Sequence, residues 1–209
     1  MRKGWICALM TGLLLLCGCS GNGGERKDEV QLLQEEYQSL SACDMQAKVR
    51  CDNETEVVEY LLQCHWSADG TSSVEILEPE MLAGICAQFD REQMTLVYED
   101  MSLAAGQIDD TKLSPANILP MMMDGIREGY ILEKGADALG EENCLRLLFD
   151  TTNGEQPVKY VVWFGTGHAP VKAELIVDNT VIFTAEILQF FAEDAPKEDT
   201  TEEDASVIE

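Results

Sequence analysis

Histidine is nearly missing from this chain: His65 and His168 are the only two in 209 residues. General-base catalysis and zinc ligation both lean on imidazole, so the room for either is narrow before any motif is sought. No Cys-x-x-Cys pair occurs, and neighbours such as Cys64 and His65 on an extended strand point to opposite faces, which argues against a shared metal ion. A Gly-x-Ser-x-Gly elbow is also absent, and Gly165-Thr166-Gly167 lacks the later glycine of a dinucleotide loop, so it reads as a turn. Carboxylates are so abundant that pairs suited to glycoside hydrolysis would arise by chance. No catalytic residue, metal or cofactor is therefore expected. Basic residues are scarce as well: 14 Lys and Arg stand against 39 Asp and Glu, a formal charge of −25. A surface this acidic repels a phosphate backbone, which argues against nucleic acid as a partner.

A membrane-spanning run is missing too. The longest apolar stretch, Trp5 to Leu16, is about a dozen residues where a spanning helix needs about 20, and it follows Arg2 and Lys3. That pattern is an export signal. It closes on Leu16-Cys17-Gly18-Cys19, which resembles the lipobox of bacterial lipoproteins, with Cys17 standing where Ala, Ser or Thr is more usual. The resemblance implies that residues 1–18 are a signal peptide and that Cys19 becomes the lipid-carrying first residue. Loss of Arg2 and Lys3 would take the charge from −25 to −27, so acyl chains rather than charge must hold the protein at an anionic membrane, facing outside the cytoplasm. Residues 19–27, with Ser-Gly-Asn-Gly-Gly at Ser20–Gly24, have the composition of a flexible tether.

The remaining composition, 45% apolar and 25% charged, is that of an ordinary globular domain. Val30, Leu33, Tyr37 and Leu40 recur at helical spacing. From Ser41 the period changes to two, with Cys43, Met45, Ala47, Val49 and Cys51 alternating with polar residues. After the turn signal Asp52 to Thr55 the alternation resumes in Val58, Tyr60, Leu62, Cys64 and Trp66, completing a hairpin. Short strands are expected around Val74 to Leu77, Ala83 to Phe89 and Met94 to Glu99. A helix is expected from Ser114-Pro115 to Arg127, with Ile118, Leu119, Met122 and Ile126 along one side and Pro120 near its start. Strands return at Cys144 to Asp150, Val158 to Phe164, Val171 to Val177 and Thr180 to Phe191, the last two joined by the hairpin signal Asp178-Asn179. Residues 192–209 hold Lys197 among acidic, Thr, Ser and Ala residues and read as a disordered acidic tail.

This order resembles the LolA/LolB lipoprotein-carrier superfamily, and in particular its lipid-anchored Gram-positive branch, germination lipoproteins included. The resemblance covers 28–191. It rests on Glu78-Pro79-Glu80-Met81-Leu82-Ala83-Gly84 at a strand end, on Asp90 to Tyr98, where Arg91 replaces a common Gly, on Leu113-Ser114-Pro115 with Ile118-Leu119-Pro120, and on Ala169-Pro170-Val171-Lys172-Ala173-Glu174. It implies an α+β fold: a curved antiparallel sheet, an incomplete β-barrel, with helices covering its concave face. It also implies an apolar ligand, a lipid or the acyl part of a lipoprotein, held between sheet and helix. Within that frame Met45, Val49, Tyr60 and Leu62 would face inward, and Leu119, Met122 and Ile126 would be wall residues. The Met121-Met122-Met123 run supplies adaptable side chains there. The branch's second implication is a docking platform for an envelope protein such as a cell-wall hydrolase. Tethering separates this chain from a soluble carrier, which must shuttle between membranes.

Five cysteines follow Cys19: Cys43, Cys51, Cys64, Cys86 and Cys144. A tight turn at Asn53-Glu54 would set Cys43 opposite Cys64 on the apolar face. A disulfide there would close a loop of about 20 residues and stabilise the domain by roughly 3 kcal/mol.

Overall fold

A computed structural model describes residues 28–53, 56–91, 93–107, 113–152 and 157–195. The segments read from the sequence as a signal peptide (1–18), as lipidated Cys19 with its tether (19–27), and as most of the tail lie outside the described residues.

The described residues open with α1 (Glu29–Ser39), where Gln31 Oε1 accepts the Asp28 backbone N–H at 3.3 Å. Val30, Leu33 and Tyr37 are its buried stripe, the helical spacing expected. Strands β1 (Leu40–Asn53), β2 (Glu56–Ser67), β3 (Thr71–Glu78), β4 (Cys86–Asp90), β5 (Gln93–Tyr98) and β6 (Met101–Gln107) follow as a meander. Helix α2 (Ile118–Glu128) leads to a second meander of β7 (Tyr130–Leu139), β8 (Glu142–Asp150), β9 (Val158–Phe164), β10 (Pro170–Val177) and β11 (Thr180–Asp194). Pairing of β11 with β1 merges them into one 11-stranded sheet of order β6-β5-β4-β3-β2-β1-β11-β10-β9-β8-β7. Every neighbouring pair is antiparallel.

That order explains why the barrel does not close. The edge strands β6 and β7 are separated by an even number of antiparallel steps, so they run the same way and could not complete an antiparallel ladder. The connection containing α2 crosses the open seam instead. Helix α2 touches β2 on one side and β8 on the other, five places apart in the sheet. Flat, those strands would lie about 24 Å apart, while an 11-residue helix is about 16 Å long, so the sheet must wrap around it. Bulges distribute the bend, among them those at Gln46/Ala47, Leu61/Leu62, Met94/Thr95, Ile131/Glu133 and Leu175/Ile176. The fold is the α+β, curved antiparallel half-barrel expected, with helices on its concave face.

Several expectations need correction. β1 and β2 pair in a different register from the one expected, Asn53 with Glu56; Cys43 therefore lies opposite Trp66, and Met45 lies opposite Cys64. The slip is one pair along each strand, which leaves every inward residue facing inward because the side-chain period is two. Cys43 and Cys64 become diagonal neighbours, roughly 7–8 Å apart, beyond the usual Cα separation of a disulfide. All five cysteines of the described residues are free. Residues 83–85 precede β4 rather than forming it, and α2 starts at Ile118, with Asn117 as its cap, rather than at Ser114. There the Ser114 backbone N–H donates to Asn117 Oδ1 at 2.9 Å, so a polar turn occupies what reads as the first helical turn. The domain also runs three residues past Phe191, since Ala192, Glu193 and Asp194 pair with Cys43, Ala42 and Leu40. β6 and β7 were not expected at all.

Candidate functional site

The inward residues of β1 and β2 form the floor of one continuous core. Met45, Val49 and Leu62 have no solvent exposure, and Tyr60 is half-buried beside them. Leu119, Met122 and Ile126 of α2 are likewise fully buried in that core. Polar contacts fasten the helix over it. Tyr160 Oη of β9 donates to the Ile118 carbonyl at 3.2 Å, and Trp66 Nε1 of β2 donates to Asp124 Oδ1 at 2.8 Å. The Arg127 guanidinium lies 5.8 Å from the centre of the Trp66 ring and donates to the Ala68 carbonyl at 3.3 Å. Burial pushes the Asp124 carboxyl above its ordinary range, although the Trp66 hydrogen bond pulls it down. Tyr37 of α1 packs against Phe164 and Phe190 at 5.6 and 6.3 Å between ring centres. Its hydroxyl donates to the His168 carbonyl at 2.8 Å.

The helices do not cover the whole concave face. Ala87 and Phe89 of β4 are buried on it, and pairing sets Leu96 opposite Ala87 and Met94 opposite Phe89. Tyr98, two residues past Leu96, shares that face. The next ladder sets Leu103 opposite Leu96 and Met101 opposite Tyr98. The same apolar face therefore continues across three strands while its cover runs out. Met94 and Leu96 are half-buried, Tyr98 is 41% exposed, and Met101 and Leu103 are each 65% exposed. A groove of about 520 Å³ is bordered by Ile85, Leu96, Tyr98, Met101 and Leu103, together with Val97 and Ser102. Exposed apolar side chains gathered in one concave place mark a binding surface more than scattered ones do. Two other clefts have different chemistry: Glu36, Asp69, Asp194 and Arg127 border one, and Asp124, Glu128 and Asp150 border the other.

The groups considered for chemistry in the sequence are spread out. His65, half-exposed on the convex face, shares a 3.0 Å contact between its Nδ1 and Asp44 Oδ1. His168 Nδ1 lies 2.7 Å from Glu36 Oε2, joining α1 to the β9–β10 turn. Gly167, at φ 72°, sits in that turn, as its neighbours predict. Cys43 is pushed up to about 12, chiefly by burial and then by Asp44, and burial raises Cys64 as well. Neither thiol is activated. Among the described residues no group of three or more His, Cys, Asp and Glu is placed to hold a metal ion, and no helix is long and apolar enough to cross a membrane.

The sequence reading expects Met45, Val49, Tyr60, Leu62, Leu119, Met122 and Ile126 around a cavity between sheet and helix; the structure packs them into the core, and the groove residues Tyr98, Met101 and Leu103 were not expected. The available signal was the alternation Met101-x-Leu103 in a strand without charge; nothing local said that this alternation would be left uncovered.

Fold and groove together define a half-barrel with an open, apolar inner edge. No family model and no curated protein matches the chain. Solved structures do resemble it. A LolA superfamily protein from Nitrosomonas europaea matches at 14% identity and TM-score 0.43, over 80% of this chain and 94% of that one. The Mycobacterium tuberculosis lipoprotein LppX matches at 9% identity and TM-score 0.38, over 82% and 100%. The Pseudomonas aeruginosa MucA/MucB complex matches at 12% identity and TM-score 0.41, over 81% and 58%.

Proposed function

We propose that this chain is a non-catalytic, membrane-anchored binding protein that seats an apolar ligand, a lipid or the acyl chain of a lipoprotein, on the uncovered edge of its concave face. The observation that carries this reading is the continuation of the inner apolar face past the helices to Met101 and Leu103. In water those side chains gain by being covered, and a flexible acyl chain can follow a curved, open groove where a rigid solute could not. The fully buried Leu119, Met122 and Ile126 form the roof's inner wall, and a Met-rich helix can shift its packing if the ligand reaches beneath it.

The Leu16-Cys17-Gly18-Cys19 segment supports lipidation at Cys19 and a position on the outer side of the cell membrane. From Cys19 to α1 the chain can reach at most about 35 Å, which keeps the domain near a bilayer from which an acyl chain could be taken. Kinship with the lipid-anchored Gram-positive branch belongs to the same reading. Its docking role is the second reading, favoured by the free edge of β6.

The test is an organic extract of the purified, lipidated full chain, compared with the covalent acyl content of its N-terminal peptide. Non-covalent lipid in near-stoichiometric amount supports the proposal. A folded protein that comes through purification empty, and takes up no fatty-acid probe, sinks it.

A further inference from the structure

Among the described residues the sheet ends on two unpaired edges, β6 and β7, and they are built differently. β7 carries Glu133, Lys134 and Asp137 and is fastened at two points. Lys134 pairs with Asp28 at the head of α1, and Trp163 Nε1 donates to Asp137 Oδ2 at 2.9 Å. Charged and fastened residues are the usual means by which an edge strand refuses further pairing. β6, Met-Ser-Leu-Ala-Ala-Gly-Gln, has no charged residue, and neither has its neighbour β5. In a chain of net charge −25 this hairpin is neutral along both strands, with Glu99 and Asp100 exposed at its turn.

The backbone of β6 is also oriented. A two-residue turn closes on a hydrogen-bonded pair, here Tyr98 with Met101, and Leu96 with Leu103 is the next such pair. The N–H and C=O of Met101 and Leu103 therefore point to β5. Those of Ser102 point away from it, toward the open seam.

We infer that β6 is a strand-addition site for an extended segment of a partner protein, one with small or apolar residues at alternate positions and Lys or Arg at its C-terminal end. Main-chain bonds to Ser102 and its outward-facing neighbours supply affinity, and the groove beside Met101 and Leu103 receives alternate side chains. Charge fixes the partner's polarity. An added strand antiparallel to β6 brings its C-terminal end beside Glu99 and Asp100, where cationic residues are attracted and acidic ones repelled. A second copy of this chain fits less well, because its β6 offers no Lys or Arg to Glu99 and Asp100 and the copy carries the same net charge. Strand addition and the apolar ligand meet at the groove but are read separately, the strand addition by backbone protection at Ser102 and the apolar ligand by fatty-acid uptake.

The probe is a synthetic peptide of alternating Val and Ser ending in Lys-Lys, with a twin ending in Glu-Glu. Amide hydrogen exchange of the full chain should show new protection at Ser102 with the Lys-ended peptide and none with its twin. Ser102→Pro removes an outward N–H without touching the β5 ladder and should weaken peptide binding about tenfold. The Glu99→Lys/Asp100→Lys variant guards against misfolding of the proline variant, and it should reverse the preference between the peptides. Equal binding of both peptides, protection away from β6, no binding by a folded protein, or a β6-dependent dimer of the chain itself would each overturn the inference.

Discussion

Replacing Leu103 by Ser separates a binding surface from a structural one. Burying a leucine side chain completely is worth roughly 1.5–3 kcal/mol. Leu103 keeps 65% of its exposure in the folded protein, so about two-thirds of that gain is still available to a ligand that covers it. The substitution should therefore cost about 1–2 kcal/mol of binding, roughly tenfold in affinity. Folding should barely change: an exposed substitution stays within about 0.5 kcal/mol, or about 1–2 °C in a domain of this size. The control is Val57→Ser. Val57 is 47% exposed and pairs with Asp52 on the convex face, so it offers comparable apolar surface in the wrong place. A fluorescent fatty-acid titration and calorimetric melting of parent and both variants decide the matter. If Leu103→Ser binds as the parent does, or if its loss of binding merely follows a large fall in melting temperature, the reasoning fails.

Met122→Trp should behave in the opposite way. Met122 has no exposure, so the larger ring overpacks the core and should lower stability by about 1–3 kcal/mol on denaturant titration. The Asp124 carboxyl has its pKa raised by burial, so carrying its charge costs the folded state stability relative to the unfolded chain. Asp124→Asn keeps an acceptor for Trp66, and should melt above the parent at pH 7, with the gain fading as pH falls through the carboxylate range and both chains become neutral there. Parent stability should itself decline on acidification, because Asp69, Asp137 and Asp150 have pKa values lowered by hydrogen bonds from Thr71, Trp163 and Thr152, and those contributions are lost as pH drops through their folded values. Cys43 and Cys64 should resist thiol reagents at pH 8 until the domain unfolds; rapid labelling of either would contradict the buried placement.

What was legible follows from how each signal is written. The β1–β2 hairpin shows in its alternation because one face is buried and the other wet, and a register error of one pair preserved every face even as it changed the partners of Cys43. Asp178-Asn179 is read locally because both residues adopt positive φ, 49° and 63°, which few other residues tolerate. β7 was illegible for the opposite reason. Nearly all of Tyr130–Leu139 is exposed, so no alternation betrays it, and its pairing with β8 alone makes it a strand. β6 is short and small-residued, and its place at the rim depends on the order of strands far away in sequence. That Leu119, Met122 and Ile126 share the buried side of α2 could be read from helical spacing, whereas the exposure of Met101 and Leu103 depends on how far two short helices reach across eleven strands.

The most direct measurement is a photoreactive fatty acid, crosslinked to the purified full chain and located by peptide mass spectrometry. Label concentrated on β5 and β6, at Tyr98, Met101 and Leu103, and displaced by unlabelled fatty acid, is the predicted result. Label confined to the polar cleft near Arg127, or scattered without saturation over the convex face, would contradict the account.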